Sequence, residues 1–306
     1  MSLSVGMHEK CFAVLLLSCI VSSVRVPLMP VEVDLSDTSK GLLDTPDGQP
    51  LSHVNLGKLC AKKTPFMLIG KNEMDIASLP CDGVLGLAHQ TASDFLLMPV
   101  VDKLATEDKT IEHSFTIWTK NFIKAGQTAG FLTIGEADTE HCDKDHLTLR
   151  VQRAKYWEFR VQQIIVKKSA IHGNHGRPLR AVMNSRQNFF AARPDIIDKL
   201  VTHFKAKETK EGFRIDCGKI PALPVMKFDV TLENAPVQFL VLRPDDYTFK
   251  IGDNCFLAFS KSRKILEADL EFGTLINRNF CQTYNYGKGT DEQQFASIVL
   301  AHKKTD

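Results

Sequence analysis

The chain has 306 residues, 43% hydrophobic and 24% charged, the proportions of a globular protein that buries a core. Its 38 Lys and Arg nearly balance 36 Asp and Glu, and the formal net charge of +2 argues against nucleic-acid binding through a dominant basic face. The 18 Gly and 13 Pro are scattered without a repeat, which excludes collagen-like, low-complexity and solenoid architectures.

The first element is a short apolar run at residues 11–21, preceded by Lys10 and followed by the small residues Ser22 and Ser23. This layout predicts a secretory signal peptide over residues 1–23, and hence a secreted or lumenal protein. Arg25 and Pro27 end the run too early for a membrane anchor, so no membrane association is expected after cleavage. Residues 24–40 lack periodicity and read as an extended or disordered lead-in. Beyond the signal lie Cys60, Cys81, Cys142, Cys217, Cys255 and Cys281. An even number in a secreted chain points to disulfides but leaves their pairing open. No Asn-x-Ser/Thr triplet occurs, so N-glycosylation is not expected.

From residue 41 short strands dominate. Residues 65–69, 113–119, 130–134 and 158–166 read as strands, the second and last through approximate alternation. Further strands are predicted at 227–232, 237–242 and 298–301. Helices are few. One is predicted over 95–105, with an apolar stripe at Phe95, Met98, Val101 and Leu104. Another spans 194–204, with Ile197, Leu200 and Val201 apolar and Pro194 in its first turn. Short strands with rare short helices predict an all-β pair of domains. A weak composition shift near residues 141–146 separates the halves.

The segment Asp82-Gly83-Val-Leu-Gly86-Leu-Ala88 reads as a turn into a buried strand, with close backbone approach at Gly86. It resembles the Asp-Gly-Ile-Leu-Gly-Leu-Ala segment of pepsin-like aspartic proteases. Other resemblances follow in the same order. Met98-Pro-Val-Val-Asp-Lys-Leu104 is similar to a helix of that family, and Phe115-Thr-Ile-Trp118 and Gly130-Phe-Leu-Thr-Ile-Gly135 to two of its strands. Tyr156-Trp-Glu-Phe159 resembles the opening of the second lobe. Asp216-Cys217 with Leu223-Pro-Val-Met226, and Phe272-Gly273 through Cys281, complete a colinear match over about residues 41 to 302. A cysteine at 281 together with one at 142 resembles nematode members.

The resemblance implies a two-lobed all-β fold with a cleft between the lobes. Residues 41–145 would form a shortened N-terminal lobe with an inter-lobe strand, and residues 146–306 a nearly complete C-terminal lobe. It implies Cys217–Cys255 and Cys142–Cys281 bridges, and a Cys60–Cys81 bridge on weaker grounds. It implies no cofactor, and a peptide or protein ligand in the cleft.

Such proteases hydrolyse peptides with two aspartates, one from an Asp-Thr-Gly loop in each lobe, that share a proton because both cannot easily ionise together. The second loop aligns with Ala181-Val-Met-Asn184-Ser185-Arg186-Gln-Asn188. The aspartate position is Asn184, whose amide cannot titrate or exchange a proton in a catalytic cycle. The glycine position is Arg186, where a side chain would obstruct close backbone approach and add a permanent charge. No Asp-Thr-Gly or Asp-Ser-Gly occurs in the sequence. The nearest imitations are Asp37-Thr-Ser39 and Asp44-Thr-Pro46, and Pro46 lacks the backbone N–H. Gly41-Leu-Leu-Asp-Thr45 instead resembles the strand after the family's flap, which places the flap and its tyrosine outside this sequence. Val24-Arg-Val-Pro-Leu28 resembles the opening of an activation segment, so residues 24–40 also read as a prosegment remnant.

The expected function is that of a secreted, catalytically inactive homologue with a peptide-binding or interaction role. One alternative is an acid endopeptidase represented by an incomplete gene model. Another is a non-functional fragment, whose exposed sheet edges would promote dimerisation or aggregation. His141-Cys-Asp-Lys-Asp-His146 and His172-Gly-Asn-His175 fit no closed tetrahedral metal site and read as polar turns. Lys167, Lys168, Lys205, Lys207 and Lys210 read as solvated faces. No Gly-x-Ser-x-Gly elbow supports a serine hydrolase.

Overall fold

The computed structural model describes residues 31–34, 51–56, 59–65, 85–93, 96–121, 130–185, 187–232, 235–262, 268–287 and 296–304. The expected signal peptide, and with it Cys81, Asp82, Gly83 and Arg186, lies outside these residues. Among the described residues the chain is mostly short strands in several sheets with few helices, an all-β fold. It divides into two compact units, residues 1–138 and 139–306.

In the first unit Val31–Asp34, Leu51–Leu56 and Leu59–Pro65 form an antiparallel three-stranded sheet. The last of these ends at Pro65, where the predicted strand 65–69 passes into residues outside the description. The helix Val100–Glu107 lies beside it, with Lys103 Nζ donating to the Lys63 carbonyl at 2.7 Å. The helix begins five residues later than its apolar stripe predicts. Pro99 has no N–H and sits extended (ψ 145°) as the N-cap, and a residue preceding proline is pushed from helical geometry. Val101 and Leu104 are buried as expected, but Met98 is exposed on the extended segment. Ser114–Thr119 and Gly130–Ile134 pair antiparallel, with the Trp118 and Phe131 rings stacked at 5.6 Å.

In the second unit a six-stranded sheet runs in the order Phe259–Lys261, Phe190–Ala192, Leu270–Phe272, Leu179–Met183, Trp157–Val161, Arg153–Ala154. Most residues of the inner strands are buried, and charged residues alternate with apolar ones in Trp157–Val161 and Leu270–Phe272. Phe190, Phe228 and Phe272 pack with centroids 5.0 to 5.3 Å apart, and Phe159 meets Phe272 at 5.6 Å. Phe228 arrives from a second sheet, ordered Ser169–Ile171, Gln163–Val166, Met226–Asp229, Phe239–Leu242. The helix Pro194–Phe204 buries Ile196, Ile197, Leu200 and Phe204, and Phe204 touches Tyr247 and Phe259.

The predicted strand 158–166 is two strands, Trp157–Val161 and Gln163–Val166, in different sheets. Between them Gln162 donates its N–H to the Asp229 carbonyl, at 2.7 Å. The polar turn expected at 141–146 is also corrected. Cys142–Arg150 is a nine-residue strand paired with Ser297–Lys303. Its charged side chains are exposed, so its sequence resembles a loop while its backbone satisfies a ladder.

Two disulfides join Cys142 to Cys281 and Cys217 to Cys255, the pairings the resemblance implies. The first spans the strand Ser297–Lys303, which pairs with the strands carrying both cysteines. Cys60 carries a free, exposed thiol.

Candidate functional site

The strand Leu179–Met183 ends at the loop that opens with Asn184. The strand pairs antiparallel with Trp157–Val161 and parallel with Leu270–Phe272, so the loop emerges between two neighbours. Asn184 donates its backbone N–H to the Phe272 carbonyl at 2.9 Å, extending the parallel pairing by one residue. The Gln187 N–H then closes a turn on the Asn184 carbonyl at 3.0 Å. The Gln187 side chain accepts from the N–H groups of Asn188 and Phe189, at 3.0 and 3.4 Å. Ser185 is exposed, and Arg186 lies outside the described residues.

Gly273 holds the far side of this loop. A Cβ there would lie 2.3 Å from the Gln187 carbonyl oxygen and 2.5 Å from that of Phe189. Its φ of −82° suits any residue, so the requirement for glycine is steric. Thr274 and Leu275 donate their N–H groups to the carbonyls of Gln187 and Asn188, at 2.8 and 3.1 Å. Gly86 has no such constraint. It is exposed in an irregular segment, and a Cβ there meets nothing within 4 Å, which corrects the close approach read from the sequence.

The side chain of Asn184 meets a residue that sequence reasoning missed. Its Nδ2 donates to Glu271 Oε2 at 2.9 Å. The other carboxylate oxygen accepts from Ser262 Oγ at 2.6 Å. Glu271 is 3% exposed. Strand registers place Glu158, Val182, Glu271, Ala191 and Ser260 in one row across the sheet. Glu158, also buried, is held by Arg180 Nη2 at 3.0 Å and approached by Arg153 Nε at 3.6 Å. Asp269 accepts from Arg193 Nη1 at 2.7 Å and from the Arg180 N–H at 2.9 Å. This face is therefore polar, with each carboxylate met by donors, as buried charge requires. The sequence carries no signal for Glu271, because a carboxylate set between Leu270 and Phe272 reads as the solvent face of a strand.

At Asn184 the arrangement offers a fixed amide and a buried carboxylate. An amide donates and accepts hydrogen bonds but does not exchange a proton near neutral or acid pH. Among the described residues no group of three or more His, Cys, Asp or Glu is placed to hold a metal ion. Cys142 is committed to its disulfide, and His146 Nδ1 lies 2.8 Å from the Lys144 carbonyl.

A family model described as eukaryotic aspartyl protease matches residues 50–295. Over 240 residues the chain is 24% identical to aspartic protease 17 of Caenorhabditis elegans, covering 76% of this chain and 58% of that protein. It is 24% identical over 213 residues to vacuolar protease A of Arthroderma otae, covering 68% and 50%. Against cathepsin D of Rattus norvegicus the identity is 25% over 172 residues, covering 56% and 40%. The chain spans about half the length of the curated relatives it matches.

Proposed function

The chain belongs to the eukaryotic aspartyl protease family, and from that footing we propose that it is a secreted, non-catalytic member that binds a peptide or protein without cleaving it. The observation that carries this reading is the amide at residue 184, at the position the resemblance gives to the second catalytic aspartate. A general acid or base must take up and release a proton within the cycle, and Asn184 has none to exchange. The sequence contains no Asp-Thr-Gly or Asp-Ser-Gly triplet to supply either carboxylate. Two disulfides favour an oxidising compartment such as the secretory pathway.

The test is an acid proteolysis assay on the purified chain with an unfolded protein substrate. No cleavage is expected, with or without pepstatin. Cleavage in acid that pepstatin blocks, or that Asn184→Ala abolishes, would overturn the reading. Saturable binding of peptides from a random library, detected by fluorescence anisotropy, is the positive expectation. The length of the relatives favours one second reading, an acid endopeptidase of which this sequence is a part. Sequencing the transcript upstream of Gly41 decides it, because that reading requires an added Asp-Thr-Gly segment. The amide at 184 would still stand in the second loop.

A further inference from the structure

Glu271 is a buried carboxylate whose two oxygens are met by neutral donors, Asn184 Nδ2 at 2.9 Å and Ser262 Oγ at 2.6 Å. A carboxylate leaving water loses solvation that only hydrogen bonds or a counter-charge can restore. Among the described residues, the surrounding charges are engaged elsewhere. On one side Val182 separates Glu271 from Glu158, which is paired with Arg180 and Arg153. On the other side the row continues with uncharged Ala191 and Ser260. Just before its own strand, Asp269 is paired with Arg193. Beyond the sheet, Ser262 donates its hydroxyl to Glu271 and its N–H to the Ala192 carbonyl.

We propose that Asn184 and Glu271 are a compensated pair: the carboxylate lacking from the loop is supplied by the adjacent strand, and Glu271 makes an amide necessary at residue 184. Glu271 is then a positioning residue for the loop. An aspartate at 184 would bring a second carboxylate within hydrogen-bond distance of the first. Two such groups cannot both ionise easily and titrate as a proton-sharing pair. The loop would thus fold well only while that shared proton was bound. The exchange of roles should be tolerated, because a glutamine at 271 can donate to an aspartate at 184 as Asn184 now donates to Glu271.

Thermal melting of the full chain from about pH 4 to about pH 8 tests this in four forms: wild type, Asn184→Asp, Glu271→Gln and the double variant. The readout is stability, so it is separate from whether the chain cleaves peptides. The Asn184→Asp variant should melt close to wild type in acid and lose several degrees as pH rises. The sign follows from linkage, because a pair whose folded-state pKa is raised contributes its stability at low pH and loses it upon deprotonation. The double variant should recover most of that loss and its pH dependence. Should Asn184→Asp fail to fold, a folded double variant supports the pairing and an unfolded one overturns it. Asn184→Asp melting like wild type at every pH would also overturn the pairing, as would strictly additive single-variant effects.

Discussion

His89 is 7% exposed, and its imidazole pKa is lowered from 6.5 to about 4, chiefly by burial, against the opposing pull of Asp102. Asp102, in the first turn of the helix Val100–Glu107, is also paired with His113. Between these pKa values the unfolded chain binds a proton that the folded chain excludes. Stability from this residue is therefore complete above pH 6.5 and declines as pH falls toward 4. The urea midpoint of the first unit should fall over that window, and His89→Leu should flatten the decline. The chain has two tryptophans, and Trp118 lies in the first unit, so its fluorescence in a Trp157→Phe background reports the transition. The same scale shows what the sequence could reveal. Asn184 was legible because it interrupts a motif in well-matched surroundings. Glu271 was not, because a charged residue between two apolar ones ordinarily marks the wet face of a strand. Only the tertiary covering of both faces makes it buried.

At the scale of elements, chain ends carry more information than interiors. The helix Pro194–Phe204 starts at its proline, as the sequence reading has it, and stops at Lys205 in the left-handed conformation with φ 53°. Lys205 donates its N–H to the Thr202 carbonyl and Ala206 to that of Val201, so the turn is closed despite a side chain that disfavours it. Lys205→Gly should therefore raise stability by about 0.5–1 kcal/mol, read as a Tm increase of a few degrees. The helix Val100–Glu107 shows the opposite case, where one proline outweighs an apolar stripe that continues past it. The strand Cys142–Arg150 escaped because pairing with Ser297–Lys303 satisfies its backbone, leaving its side chains free to be polar. Gln162 likewise carries no composition signal for the switch between sheets. What divides the run is the Asp229 carbonyl that accepts its N–H.

For the molecule as a whole, fold and family were legible because many short motifs fall in one order, and order constrains topology more than any single motif does. The disulfides followed from the same comparison and could not have come from spacing alone. Their loops differ, with a sequence separation of 139 for Cys142 and Cys281 and of 38 for Cys217 and Cys255. On the chain-entropy account the longer cross-link contributes about 5 kcal/mol and the shorter about 4 kcal/mol. Urea unfolding should thus show Cys281→Ser destabilising the second unit slightly more than Cys255→Ser, with dithiothreitol on the wild type exceeding both. The two bonds are also nested, which sets a timetable for synthesis. At 5–20 residues per second, Cys255 follows Cys217 off the ribosome within roughly 2–8 s, but Cys281 trails Cys142 by roughly 7–28 s. The inner bond closes first, while the Cys142 thiol waits and meets two later-arriving wrong partners, Cys217 and Cys255, before the right one. Quick closure of the 217–255 loop removes these two later competitors together. A chain lacking Cys255 leaves Cys217 open to capture by Cys142, and its maturation would then depend on disulfide exchange.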